Sequence, residues 1–137
     1  MKQIASVTVT STPFNYTQLI DTADFELLAD EPVSSGGQNA GPAPYDYLLA
    51  SLGSCTAITL RMYAEKKGWN LGELHITLNL AKDSEGNTFI ERQLHSNAPL
   101  TDEQWTQLLA VAAKTPVTKT LLQGAKISTA RNAATRS

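Results

Sequence analysis

The stretch GPAPYDYLLASLGSCTAITLRMYAEKKG, residues Gly41 to Gly68, decides the fold. It leaves a loop through Pro42 and Pro44, then changes from Tyr45 to Lys67 into Leu, Ala, Ser, Met and Tyr. Lys66, Lys67 and Gly68 form a helix stop, because basic side chains suit a last turn and glycine the residue beyond it. Leu48, Leu52, Cys55, Thr59 and Met62 recur at three-to-four spacing, while Leu49, Ala57, Ile58 and Leu60 occupy other faces. A helix apolar nearly all round needs burial nearly all round. In a chain this short, that implies wrapping by a sheet or by a partner subunit.

Upstream, Ile4, Val7 and Val9 among Ser and Thr, then Phe14 to Ile20 and Phe25 to Ala29, read as strands separated by turns. Asp30 to Pro44 holds two glycine clusters and three prolines before the helix, which precludes regular structure. Long loops of this kind are often functional. Downstream, Glu73 to Lys82 alternates strictly, with Leu74, Ile76, Leu78 and Leu80 on one face and Glu73, His75, Thr77 and Asn79 on the other. Asp83 to Asn87 turns the chain, and Thr88 to His95 returns as the second strand of a hairpin. Thr101 opens a second helix with Gln104 as its capping-box partner. Trp105, Leu108, Leu109 and Ala112 form the apolar stripe of that helix, and Pro116 ends it. A short segment, Val117 to Leu122, precedes a last strand around Lys126 to Ala130, and the tail Arg131 to Ser137 has little to bury. The fold expected is one α+β domain spanning residues 1–137.

The composition agrees. The chain has 137 residues, 42% hydrophobic and 18% charged, which is the profile of a globular protein with a real core. Eleven Lys and Arg against thirteen Asp and Glu give a net charge of −2. Nothing in that balance favours nucleic acid or anionic membranes as partners. No apolar run approaches a membrane span, and the N-terminal alternation lacks the apolar block of a signal peptide. A cytoplasmic protein with one free thiol is the expectation. A single cysteine excludes an internal disulfide framework, and two distant histidines would need carboxylates to complete a metal site, so no metal or other cofactor is expected.

The residues offer little obvious chemistry. Gly36, Gly37 and Gly41 lack the spacing and the Lys-Ser/Thr pair of a phosphate loop, and read as backbone turns before the helix. Cys55 lies too deep in the helix for the dipole to activate it. Its face carries Leu48, Leu52, Thr59 and Met62, with Arg61 about 120° and Asp46 about 180° away on a straight helix. An apolar setting leaves a thiol protonated and unreactive, so on these residues alone Cys55 reads as a core cysteine before a reactive one. His75 and His95 read as solvent-facing strand residues, and Asp30, Glu31 and Asp46 are acids near the loop without a defined separation.

Ala29-Asp-Glu-Pro32, Gly36-Gly37, the block from Gly41 to Thr56, and Arg61 to Trp69 together closely resemble the OsmC-like branch of the OsmC/Ohr family. The likeness continues through Lys114-Thr-Pro-Val-Thr-Lys-Thr-Leu121 and so spans nearly the whole chain. The resemblance implies antiparallel sheets wrapped around long central helices in an intertwined homodimer. It also implies thiol-based reduction of organic hydroperoxides. Residue by residue, Cys55 matches the peroxide-attacking cysteine. Thr115, before Pro116, stands at the second, disulfide-closing cysteine, and Thr118 stands where a histidine is frequent. Asp46 is the nearest match for a thiolate-holding glutamate, with Tyr45 competing for that position. The early-strand arginine has no counterpart, leaving Arg61, or Lys119 of a partner chain, as substitutes. On this resemblance a sulfenic acid at Cys55 needs an external thiol reductant. The alternative implied by the same departures is a non-catalytic dimer holding a small hydrophobic ligand beside Cys55.

Overall fold

The computed structural model describes residues 1–132. The elements are β1 (Thr8–Ser11), β2 (Gln18–Asp21), β3 (Glu26–Ala29), α1 (Pro44–Lys67), β4 (Leu74–Lys82), β5 (Thr88–Ser96), α2 (Asp102–Ala112) and α3 (Pro116–Gln123). The chain forms two compact units, Met1–Gly53 with Ile76–Gln93, and Ser54–His75 with Leu94 onward. Its class is α+β, as expected.

In the first unit, β1, β2 and β3 form an antiparallel sheet in that order. Thr8 lies opposite Asp21 and Ser11 opposite Gln18, while Gln18 also faces Ala29 and Asp21 faces Glu26. Threonine hydroxyls close its turns. The N–H groups of Phe14 and Phe25 donate to the Oγ1 atoms of Thr12 and Thr22 at 3.2 and 3.0 Å, side-chain turns of the kind Ser and Thr favour. The strand expected from Phe14 to Ile20 is shorter, because residues 13–16 bend and the Tyr16 N–H donates to the Asp30 carboxylate rather than to a ladder.

Helix α1 starts with proline, whose missing N–H costs nothing at a first helical position. It ends in a Schellman arrangement. The Trp69 N–H donates to the Ala64 carbonyl at 2.8 Å and the Gly68 N–H to the Glu65 carbonyl at 3.1 Å. Gly68 takes φ +70°, and a Cβ there would meet nothing within 4 Å. The cost of a side chain at this position is therefore conformational alone. Gly68→Ala is expected to destabilise the protein by about 1–2 kcal/mol, measured by urea unfolding, with Gly68→Asn losing less. An alanine variant as stable as the wild type would overturn this account of the cap.

The expected all-round burial of α1 is not met within one chain. Leu52, Thr56, Leu60 and Ala64 are buried at four-residue intervals, but Tyr45, Ile58 and Met62 are exposed. The buried stripe thus shares Leu52 with the face read from Leu48, Leu52, Cys55, Thr59 and Met62 and otherwise runs beside it. In the second unit, Leu60 and Ala64 of α1 and Leu108 and Ala112 of α2 join Leu71 in the core. Tyr63, Trp69, Leu74, Leu94, Leu100, Trp105 and Val111 ring it, and the Tyr63 and Trp69 rings meet edge-on with centroids 5.7 Å apart. The capping box at α2 is present in both directions, Gln104 N–H to Thr101 Oγ1 at 3.1 Å and Thr101 N–H to Gln104 Oε1 at 2.8 Å.

β4 and β5 pair as the expected hairpin, with Leu74, Ile76, Leu78 and Leu80 on the more buried face. Several expectations need correction. The loop from Asp30 carries one short 3₁₀ turn, Val33–Ser35, and α2 stops at Ala112, so Pro116 opens the next helix rather than ending this one. Leu109 is 52% exposed, so the stripe of α2 narrows to Trp105, Leu108 and Ala112. Val117 to Leu122 is helical, as part of α3 after the N-terminal Pro116. The last strand at Lys126 to Ala130 does not form. Residues 124–132 are without regular structure and Ile127 is 88% exposed, since β-branched residues make no ladder without a neighbouring edge to pair with. The expectation for the tail Arg131 to Ser137 falls mostly outside the described residues.

Candidate functional site

Cys55 sits midway along α1 and its thiol is free and half-buried. It is not part of the core cluster, although Thr56 beside it is fully buried. Within one chain the thiol therefore borders the interior without being sealed in it.

Thr115 and Thr118 sit at the start of α3, in the same unit as Cys55. Thr115 is 1% exposed, and its hydroxyl meets that of Thr118 at 2.6 Å. Thr118 Oγ1 donates onward to the Ala112 carbonyl at 3.4 Å. Buried hydroxyls need such partners. The position matched to a second cysteine is thus filled by a satisfied hydrogen-bonding pair, and neither group can be oxidised to a cross-link.

Of the charged candidates, Asp46 and Arg61 are engaged elsewhere. Asp46 lies in the first turn of α1, where its Oδ2 accepts the Ala43 N–H at 3.0 Å. A carboxylate there also complements the helix dipole. Tyr45 is exposed, with the Lys82 ammonium 5.5 Å from its ring centroid. Arg61 donates from Nη2 to the Gly72 carbonyl at 2.7 Å, tying the helix to the loop that follows it. Lys119 is exposed on α3. On the hairpin, His75 and His95 are exposed as expected, their rings edge-on at 6.3 Å, and His75 Nε2 pairs with Glu73 Oε1 at 2.8 Å. Among the described residues no group of three or more His, Cys, Asp or Glu is placed to hold a metal ion. No described helix is long and apolar enough to cross a membrane.

The residue that sequence reasoning undervalued is Asp30. It is 3% exposed, and its two oxygens accept five hydrogen bonds. Four come from the N–H groups of Tyr16, Glu31, Gln38 and Ala40, at 3.2, 2.7, 3.2 and 3.1 Å, and one from Thr17 Oγ1 at 2.8 Å. Burial pushes the carboxyl upward. The Ala40 N–H, the Thr17 hydroxyl and the N–H groups of Glu31 and Tyr16 outweigh it and hold the group at about 2. The loop leading into α1 is therefore clamped around a carboxylate. Asp30 and Asp46 both line an open depression of about 550 Å³ walled by Pro32, Asn39 and Pro42. Gly37 serves this clamp, since a Cβ there would lie 2.1 Å from the Glu31 carbonyl oxygen. The loop glycine is thus a backbone device, as expected. The advance signals for Asp30 were its place at the start of the long loop and in the Ala29-Asp-Glu-Pro32 stretch that carries the family resemblance.

A second groove belongs to the unit that carries Cys55. It has about 320 Å³ and is lined by Thr59 and Tyr63 of α1, by Gln107, Ala110 and Val111 of α2, and by Lys114. The Tyr63 hydroxyl donates to Gln107 Oε1 across its wall at 3.0 Å.

Residues 36–130 match the family model of the OsmC-like proteins. Comparison with curated protein sequences gives no significant match. Solved structures with the same fold include a candidate osmotic stress induced and detoxification response protein from Psychrobacter arcticus, with a TM-score of 0.75 and 18% identity over 88% of this chain and 90% of that one. An organic hydroperoxide resistance protein OsmC from Legionella pneumophila has a TM-score of 0.64 and 18% identity, covering 87% of this chain and 89% of that one. The organic hydroperoxide resistance protein OhrB of Bacillus subtilis has 0.60 and 21%, covering 85% and 89%. At these identities the likeness is one of fold.

Proposed function

Because this chain belongs to the OsmC-like protein family, we propose that it is a stress-response redox protein whose Cys55 reduces organic hydroperoxides as a single reactive thiol. The observation that carries this reading is the half-buried thiol of Cys55 on α1, within the residues 36–130 that match the family model. Two relatives of the same fold, from Legionella pneumophila and Bacillus subtilis, are organic hydroperoxide resistance proteins. In the reaction the Cys55 thiolate attacks the terminal peroxide oxygen, the O–O bond breaks, and the alkoxide leaves as an alcohol after taking a proton. Cys55 becomes a sulfenic acid. With Thr115 in place of a second thiol, an external thiol condenses with that acid, releasing water, and a second thiol frees Cys55 as the disulfide departs. Arg61 and a partner's Lys119 are the cations proposed to assist the thiolate, with Asp46 positioning the start of α1.

We also infer a homodimer. Ile58 and Met62 on α1 and Val7, Val9, Phe14 and Phe25 near the sheet are exposed in the single chain, and apolar surface of this extent calls for a partner.

The test is thiol-dependent turnover of an organic hydroperoxide, with dithiothreitol and a dihydrolipoyl compound as reductants. Wild-type protein is expected to turn over and Cys55→Ser to lose essentially all activity. No turnover, with Cys55 still reduced after peroxide exposure, would sink the peroxidase reading. The satisfied Thr115–Thr118 pair favours a second reading in that event, a dimer that binds a small hydrophobic ligand without chemistry.

A further inference from the structure

We infer that the groove between α1 and α2 is the seat of the external reductant, and that it selects a small thiol bearing a carboxylate. The inference rests on the single-thiol reading above. Three observations meet in one unit of the fold. Thr59 lines the groove and lies on the Cys55 face of α1, one turn further on, about 6 Å along the axis. Lys114, at the other wall, directly precedes Thr115, the position matched to the missing second cysteine. Of the six lining residues Lys114 alone is charged, and no carboxylate shares the lining. The remaining wall is Ala110 and Val111 with the hydroxyls of Thr59 and Tyr63 and the Gln107 amide. A guest seated there meets one cation, short apolar stretches and neutral hydrogen-bonding groups, with Cys55 one helical turn from the Thr59 wall along α1.

The groove therefore offers an outside thiol a seat whose cation, Lys114, is the sequence neighbour of the position where an internal thiol would otherwise stand. The Cys55 sulfenic acid and the guest thiol form a mixed disulfide and release water. A second guest thiol attacks that disulfide, returns Cys55 as a thiol and leaves as the guest's own disulfide. Two electrons are supplied for each peroxide reduced, one guest disulfide is formed, and no other reactant is needed.

The anion preference can be read without peroxide. Cys55 is exchanged with dithiobis(nitrobenzoate), which carries carboxylates, and with neutral dithiodipyridine, in wild type, Lys114→Gln and Lys126→Gln. The ratio of the two rates cancels the intrinsic reactivity of the thiol. Lys114→Gln is expected to lower that ratio by on the order of fivefold at low salt, the worth of one unlike charge pair near water, and added salt to erase the difference. Lys126→Gln, an exposed lysine outside the groove, is expected to leave it unchanged. In peroxide-driven turnover, mercaptopropionate is then expected to outperform mercaptoethanol in wild type but not in Lys114→Gln. A ratio indifferent to Lys114, or no exchange at Cys55 with either reagent, would overturn the inference. Loss of peroxide turnover alongside a Lys114-dependent ratio would sink the peroxidase reading instead and leave the groove its carboxylate-thiol preference.

Discussion

Leu108→Ala is expected to cost about 3 kcal/mol or more, the usual price of emptying a fully buried leucine site. Leu108 is 0% exposed and packs with Leu60, Ala64, Leu71 and Ala112. These neighbours come from α1, α2 and the loop after α1, so the site cannot collapse by moving a single element. Leu109→Ala, removing a side chain that is 52% exposed, is expected to cost less than about 1 kcal/mol. Urea unfolding followed by circular dichroism at one fixed protein concentration separates the two, because self-association would otherwise shift the midpoints. Equal losses would mean that the packing of α2 is wrongly described. Against a typical stability of about 5–15 kcal/mol, the larger loss is enough to leave the protein marginal.

Asp30→Ala is expected to release the loop between β3 and α1. The change removes the acceptor for four backbone N–H groups and the Thr17 hydroxyl together, and buried donors without partners are costly. Amide exchange at Gln38 and Ala40 is expected to become fast, and the unfolding midpoint to fall. Asp30→Asn, which keeps one acceptor oxygen but turns an NH₂ toward donors, is expected to fall between. The same carboxylate sets a pH dependence. Its folded value of about 2 lies below the ordinary 3.8, so its stabilising contribution is complete above roughly pH 4 and lost as pH falls through about 2. Asp83, held low first by the Asn87 side-chain amide and then by backbone N–H groups, acts in the same direction. The informative quantity is thus the difference between wild type and Asp30→Asn, expected to be constant from neutral pH to roughly 4 and to shrink below it. A difference independent of pH down to 2 would contradict the clamp.

Much of this architecture is legible in the sequence because its causes are local. Gly68 after two lysines, Thr101 before Gln104, and the strict alternation from Leu74 to Leu80 each specify their element through neighbours a few residues away. The failures are of another kind. Lys126 to Ala130 has a strand's composition, but a strand is made by its partner. Leu109 satisfies helical periodicity as well as Leu108 does, and only packing distinguishes them. At the candidate site, the place of Cys55 on α1 could be read from spacing, whereas the groove needed α2 to bring Gln107 and Val111 opposite Tyr63. The role of Asp30 as a clamp is not legible in the residues, because four of its five partners are main-chain amides, which every residue type except proline carries.

That last feature has a bearing on how such a loop can diverge. The donors from Glu31, Gln38 and Ala40 are backbone N–H groups, so their side chains can be exchanged freely provided none becomes proline. Inserting or deleting a residue between them would carry an amide out of reach of the carboxylate. These donor positions are thus tolerant of substitution, unlike Gly37, where a Cβ would meet the Glu31 carbonyl, and the segment is intolerant of indels, the reverse of what its glycine- and proline-rich composition advertises.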